Sequence, residues 1–241
     1  MPETFKLGVL TPSSNTALEP LTHAIVAGLP GVSVHFARFK VTEISLGAAS
    51  SGQFEDSHIL AAADLLADAK VDVIGWSGTA AGWLGFEKDA LLARRIEAHT
   101  GIAATTAILA LNELLTLRGV TRLGIVSPYT ADVQQRIVGN YRAAGIEVVA
   151  ETHEGISVNH DFAALAPQLL QQRIAQVADA APQAIVTYCT NLRAAQLAAA
   201  VEEQTGIPLL DTVSTTVWGM LRKIGVPTQQ VKGWGQLYGW E

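Results

Sequence analysis

The chain has one cysteine, Cys189, and two methionines among 241 residues. A single cysteine excludes an internal disulfide and a Cys-rich metal site, and it agrees with a reducing, cytoplasmic compartment. Charge is also scarce. Only 16% of residues are charged and the formal net charge is -6, with lysines and arginines scattered, so no basic stripe points to nucleic acid as a partner. No apolar run approaches the ~18 residues that span a bilayer, and the opening MPETFKLGVL lacks a basic segment followed by a long apolar one. Neither a membrane partner nor a secretory leader is expected. The six histidines show no HxxxH or His-carboxylate spacing, no Gly-Lys-Ser/Thr loop occurs, and no GxGxxG opens a helix. The sequence therefore implies no metal and no nucleotide cofactor.

What is abundant is apolar: 49% of residues are hydrophobic, enough for a large core. Strands are predicted from Phe5, Val32, Val71, Ile102, Thr121, Ile146, Gln183 and Ile207. Helical periods fill Asp56 to Asp68, Glu87 to His99, Thr106 to Leu117, Ala131 to Ala144, Asp161 to Asp179, Leu192 to Thr205 and Thr212 to Ile224. Apolar strands alternating with helices predict an α/β fold whose parallel sheets are covered on both faces.

The pattern is duplicated. KLGVLTPSSNTALEPLTHAI from Lys6 matches RLGIVSPYTADVQQRIVGNY from Arg122, at an offset of 116 residues. VDVIGWSGTAAGWL matches QAIVTYCTNLRAAQL with Gly78 opposite Cys189, an offset of 111, and GIAATTAILALNELLTLRGV matches GIPLLDTVSTTVWGMLRKIGV at an offset of 105. Three matches in the same order predict two pseudo-symmetric, flavodoxin-like halves, 1–115 and 116–241, with the C-terminal helix open to exchange between them. An active-site cleft is expected between the halves, at the carboxyl ends of the strands. There the loop Pro12 to Asn15 would meet Pro128 to Thr130, and Trp76 to Ala80 would meet Tyr188 to Asn191.

These loops carry the candidate chemistry. Cys189 follows the apolar strand AIVTY and precedes a predicted helix. It is either a small packed hydrophobe or a thiol held partly as thiolate by the helix N-terminus. Ser14 and Thr16 are expected to cap the helix after TPSSNT, leaving Asn15 as a ligand candidate. Tyr129 either packs over a helix start or hydrogen-bonds, and His160 is expected on the surface. No histidine-bearing strand-end loop supplies a general base for Cys189, which argues against a Cys-His hydrolase. A thiol among hydroxyl, amide and backbone N-H donors suits proton transfer at the α-carbon of a carboxylic acid, with the donors holding an enediolate.

The duplicated halves, GVLTPSSNT, SPYTADV and TYCTNL together resemble the Asp/Glu/hydantoin racemase superfamily over essentially the whole chain, nearest its maleate cis-trans isomerase and arylmalonate decarboxylase branches. Racemases and the isomerase of this superfamily use two cysteines, one from each half, whereas Gly78 holds the first position here. The decarboxylase branch shares that glycine and protonates an enediolate with its one cysteine. By this resemblance Cys189 is catalytic, and Thr79, Tyr129, Cys189 and the Thr190 backbone form a dioxyanion hole. Ala80 replaces a hydroxyl of that hole. Ser13, Ser14 and Asn15 give the polar first loop of the isomerase branch, and Asn159 matches an isomerase carboxylate ligand. Gly78, Ala80 and Asn191 complete the predicted substrate contacts. The resemblance implies a cofactor-independent enzyme acting on a small carboxylic or dicarboxylic acid, foremost a decarboxylase. The alternatives are an isomerase or racemase lacking the first cysteine and a non-catalytic acid-binding protein. Homo-oligomerisation stays open.

Overall fold

The computed structural model describes residues 4–47, 52–54 and 56–240. Strands β1 (Phe5–Pro12), β2 (Val32–Phe39), β3 (Val73–Trp76) and β4 (Ala103–Thr106) form one sheet in the order β2-β1-β3-β4. Strands β5 (Arg122–Ser127), β6 (Glu147–His153), β7 (Ala184–Thr187) and β8 (Leu209–Asp211) form a second in the order β6-β5-β7-β8. Every recorded strand pair within the two sheets is parallel. The duplication extends to register. Leu7 pairs with Val73 in the first sheet and Leu123 with Ala184 in the second, positions that the 116- and 111-residue offsets make equivalent.

Nine α-helices cover the sheets among the described residues: α1 (Leu18–Val26), α2 (Asp56–Asp68), α3 (Ala81–Leu84), α4 (Phe86–Thr100), α5 (Ala107–Leu117), α6 (Ala131–Ala143), α7 (Pro167–Ala178), α8 (Ala198–Thr205) and α9 (Thr212–Lys223). None is long and apolar enough to cross a membrane. Their ends follow local chemistry. The Thr106 hydroxyl accepts from the Leu109 N-H to start α5, and the Asp211 carboxylate accepts from Val213 and Ser214 to start α9.

Three expectations need correction. The helix predicted over Asp161 to Asp179 is a 3-10 turn at Asn159–Ala164 followed by α7, because Pro167 has no N-H to give and fits the first helical position. The helix predicted from Leu192 is a 3-10 turn at Ala195–Leu197 and then α8 from Ala198. The glycine-rich loop after β3 contains a helical turn, α3.

The C-terminal helix α9 lies against the first sheet. A Cβ at Gly75 of β3 would stand 2.5 Å from the Met220 sulfur, so a larger residue there would force the Met220 side chain to shift. The Thr215 hydroxyl of α9 donates to the Ala107 carbonyl at 3.0 Å. Helix and strand thereby carry residues of both sequence repeats into one core.

Two carboxyls are buried in this core. Burial pushes Asp89 from 3.8 to about 7 and Asp211 to about 6, against opposing hydrogen bonds from Thr106 and Thr187 respectively. The folded chain thus keeps protons that the unfolded chain releases near pH 4. Stability conferred by the protonated carboxyls is full below that pH and is lost as pH rises through 6 to 7. Melting temperature should fall between pH 4 and pH 7, and Asp89→Asn should flatten the decline; an equally steep decline in the variant contradicts this assignment.

Candidate active site

The carboxyl ends of the strands face a cleft lined by Pro12, Val41, Ile44, Phe54, Trp76, Gly78, Thr79, Ala80, Trp83, Tyr129, Asn159, Cys189 and Thr190. About 20 Å³ of space remains between them, room for one water molecule. The loop after β2 closes one side and pairs with the loop after β6, with Ile44 donating to Ser157 at 2.8 Å and Asn159 donating to Thr42 at 3.1 Å. Residues 48–51, which follow this loop, lie outside the described residues.

Cys189 is 2% exposed. The Asn191 N-H donates to its sulfur at 3.4 Å, and the nearby Tyr129 hydroxyl favours the thiolate. Tyr129 shares a 2.6 Å hydrogen bond with the Thr79 hydroxyl, which joins the two halves beside Cys189. The expectation of a partly ionised thiol is overturned. Burial pushes the Cys189 thiol up to about 12, outweighing these hydrogen bonds, and the buried Asp211 carboxylate raises it further. Cys189 does not stand at a helix N-terminus either, since α8 begins only at Ala198. Iodoacetamide should therefore alkylate Cys189 slowly from pH 6 to 9; rapid alkylation at pH 7 would contradict a protonated thiol.

The reason the helix starts late is Asn191. Its side-chain oxygen accepts from Thr16 at 2.9 Å and Ala17 at 3.1 Å, and its amide donates to the Asn159 carbonyl. These three bonds hold the chain after Cys189 in a turn. Asn15 acts similarly from the opposite half. Its oxygen accepts from Ala17 at 3.0 Å and Leu18 at 2.9 Å, while its amide donates to Thr190 at 3.3 Å. Asn15 therefore brackets the start of α1, a task expected of Ser14 and Thr16. Ser14 instead donates to the Val41 carbonyl at 2.6 Å and accepts from the Asn159 amide at 2.7 Å. The Ser13 hydroxyl exchanges bonds with Val41 at 3.3 and 3.1 Å.

Thus Gly78, Thr79, Ala80, Tyr129, Asn159, Cys189 and Thr190 line the cleft, while Ser13, Ser14, Asn15 and Asn191 are not among its lining residues. The loops also meet differently from the expected pairing. Hydrogen bonds run diagonally, from the β1 loop to the β7 loop through Asn15 and Asn191, and from the β3 loop to the β5 loop through Thr79 and Tyr129. The expected contact of the β3 and β7 loops also occurs, with Thr190 donating to the Ser77 carbonyl at 3.1 Å. Tyr129 both packs and bonds, its ring standing edge-on to Trp83 and Phe162 at 5.3 and 5.5 Å. His160 is exposed, as expected.

The geometry at Gly78 separates this cleft from a symmetric one. A Cβ there would lie 2.0 Å from Cζ2 of Trp76, so the indole already fills the space that a first-half cysteine would need.

The family profile described as arylmalonate decarboxylase matches residues 20–238. The chain belongs to this family. The chain is also similar to a maleate isomerase of Pseudomonas putida, 25% identical over 93% of either chain. The crystal structure of a cysteine-to-alanine variant of the maleate isomerase of Pseudomonas putida S16 with maleate superposes with a TM-score of 0.89 at 26% identity, covering 99% of this chain and 98% of that one. A crystal structure of arylmalonate decarboxylase shares the fold, with a TM-score of 0.78 at 19% identity over 98% of this chain and 100% of that one. The α/β architecture of two four-stranded parallel sheets is therefore that of these enzymes, and the chain is an enzyme of this family. Trp83, Val41, Ile44 and Phe54 line the cleft without having been named in the sequence, whereas Trp76 opens one of the predicted loops. Trp83 alone carried a signal, a large aromatic set between glycines in AGWLG.

Proposed function

We propose that the protein decarboxylates a malonate-type acid without a cofactor, with Cys189 delivering one proton to one face of the α-carbon. The observation that carries this reading is the Trp76 indole at Gly78, which leaves the opposite face without a second thiol. The bond from the α-carbon to the leaving carboxylate breaks, and its electron pair passes into an enediolate on the retained carboxylate. The Thr79 and Tyr129 hydroxyls and the Thr190 N-H are the donors for that charge. The S-H bond of Cys189 then gives its proton to the α-carbon, and the resulting thiolate is reprotonated from solvent. A thiol that stays protonated at neutral pH is suited to this donor role.

Similarity to maleate isomerases and the hydrogen bond of Asn159 to Ser14 favour a second reading, cis-trans isomerisation of a dicarboxylate. The two are separated by incubating the enzyme with methylmalonate, phenylmalonate and maleate. Carbon dioxide from a malonate supports decarboxylation, and fumarate from maleate without carbon dioxide overturns it. Tyr129→Phe should lower kcat by about 10²-fold through loss of one oxyanion donor, with KM little changed. A tenfold rise in KM at unchanged kcat would assign Tyr129 to ground-state binding instead.

A further inference from the structure

A larger cavity of about 320 Å³ lies beside the cleft of Cys189. Its volume falls at the lower end of the ~300–1,000 Å³ typical of small-ligand sites. Phe54, Trp76 and Ala80 line both spaces, so the partition between them includes one side chain that is a single methyl group. A small diacid does not fit within 20 Å³, whereas the neighbouring cavity offers ample room. Ile59, Leu84 and Leu92 give it apolar walls.

One buried polar group faces this apolar space. Asp89 of α4 is 3% exposed and lines the cavity. Among the described residues, only the Thr106 hydroxyl hydrogen-bonds to its carboxyl group. The second carboxyl oxygen has no protein partner among those residues, and proton delivery by Cys189 makes no use of it. A buried carboxyl of this kind is costly unless a donor reaches it. Lys88 stands exposed at the rim and repels a cationic arm, which leaves a neutral donor as the complementary group.

We propose that this cavity receives the non-reacting arm of the acid bound at Cys189, and that the arm is apolar along its length and ends in a neutral hydrogen-bond donor held by Asp89. A phenolic hydroxyl is such a group. The proposal rests on the reading of the Cys189 cleft as an acid site. It does not require the acid to be decarboxylated.

The test is calorimetric binding of 4-hydroxyphenylacetate, 4-methoxyphenylacetate and methylmalonate to the full chain. The two arylacetates carry the arm and one carboxylate but no carboxyl to lose, so binding is read whether or not carbon dioxide is ever released. The hydroxyl compound should bind about tenfold more tightly than the methoxy compound. Asp89→Asn keeps an acceptor for Thr106 and turns an amide donor toward the cavity, so it should reverse that preference. Ala80→Leu should weaken 4-hydroxyphenylacetate at least tenfold more than methylmalonate. Equal binding of the two arylacetates to the native protein overturns the role of Asp89 without any variant. Binding of methylmalonate but of neither arylacetate overturns the cavity as an arm site, and binding of none of the three overturns both the arm site and the acid-site reading on which it rests. Binding with the expected preference, accompanied by no release of carbon dioxide from any malonate, sustains the arm site and defeats decarboxylation alone.

Discussion

Replacing Cys189 by serine is expected to lower turnover by about 10²–10⁴-fold, the range contributed by a positioned proton donor. Serine matches the thiol in shape and can still accept from the Asn191 N-H. The fold should therefore survive, with a melting temperature within a few degrees of the native protein. A hydroxyl is a much weaker acid than a thiol, so the loss should fall on kcat rather than KM. Turnover within threefold of native would remove Cys189 from the chemistry. It would then stand as a small buried hydrophobe, the commonest role of a free cysteine.

The second large effect is structural. Gly78→Cys restores the residue that two-cysteine members of the superfamily carry, but here its Cβ would meet the Trp76 indole at 2.0 Å. Trp76 is itself fixed, 1% exposed and packed against Phe39 at a ring separation of 5.0 Å. Overpacking of this kind costs about 1–3 kcal/mol, which is roughly 2–12 °C in melting temperature for a chain of this size. Trp76→Leu combined with Gly78→Cys should cost less than the sum of the two single changes, because the shortened side chain vacates the clash. Strict additivity, or an unchanged melting temperature for Gly78→Cys, would show that the indole does not fill the first-half position.

The parts of this arrangement that could be read in the sequence are those set by periodicity. Apolar runs marked all eight strands, and the repeat offsets placed Leu7 with Leu123 and Val73 with Ala184, the pairs that share register in the two sheets. The same offsets put Gly78 opposite Cys189. What the repeat does not carry is which loops touch, and here tertiary bonds decided. Asn191 binds Thr16 and Ala17 from the other half, and those bonds override the helical preference of the Ala- and Leu-rich stretch that follows Cys189. Asn15 displaces Ser14 and Thr16 from the start of α1 in the same way. The protonation of the thiol depends on burial, which a strand-end position does not report. Asp89 stands in the first turn of α4, where acids are favoured. Only its packing against Thr106 and the cavity sets it apart.

The most direct measurement of one-sided proton delivery is turnover of a prochiral substituted malonate in D₂O, with the product followed by NMR and chiral chromatography. Cys189 as sole donor predicts one deuterium at the α-carbon for each carbon dioxide released, one product enantiomer in large excess, and no exchange of the product's α-proton on prolonged incubation. A racemic product, or α-exchange without release of carbon dioxide, would contradict it.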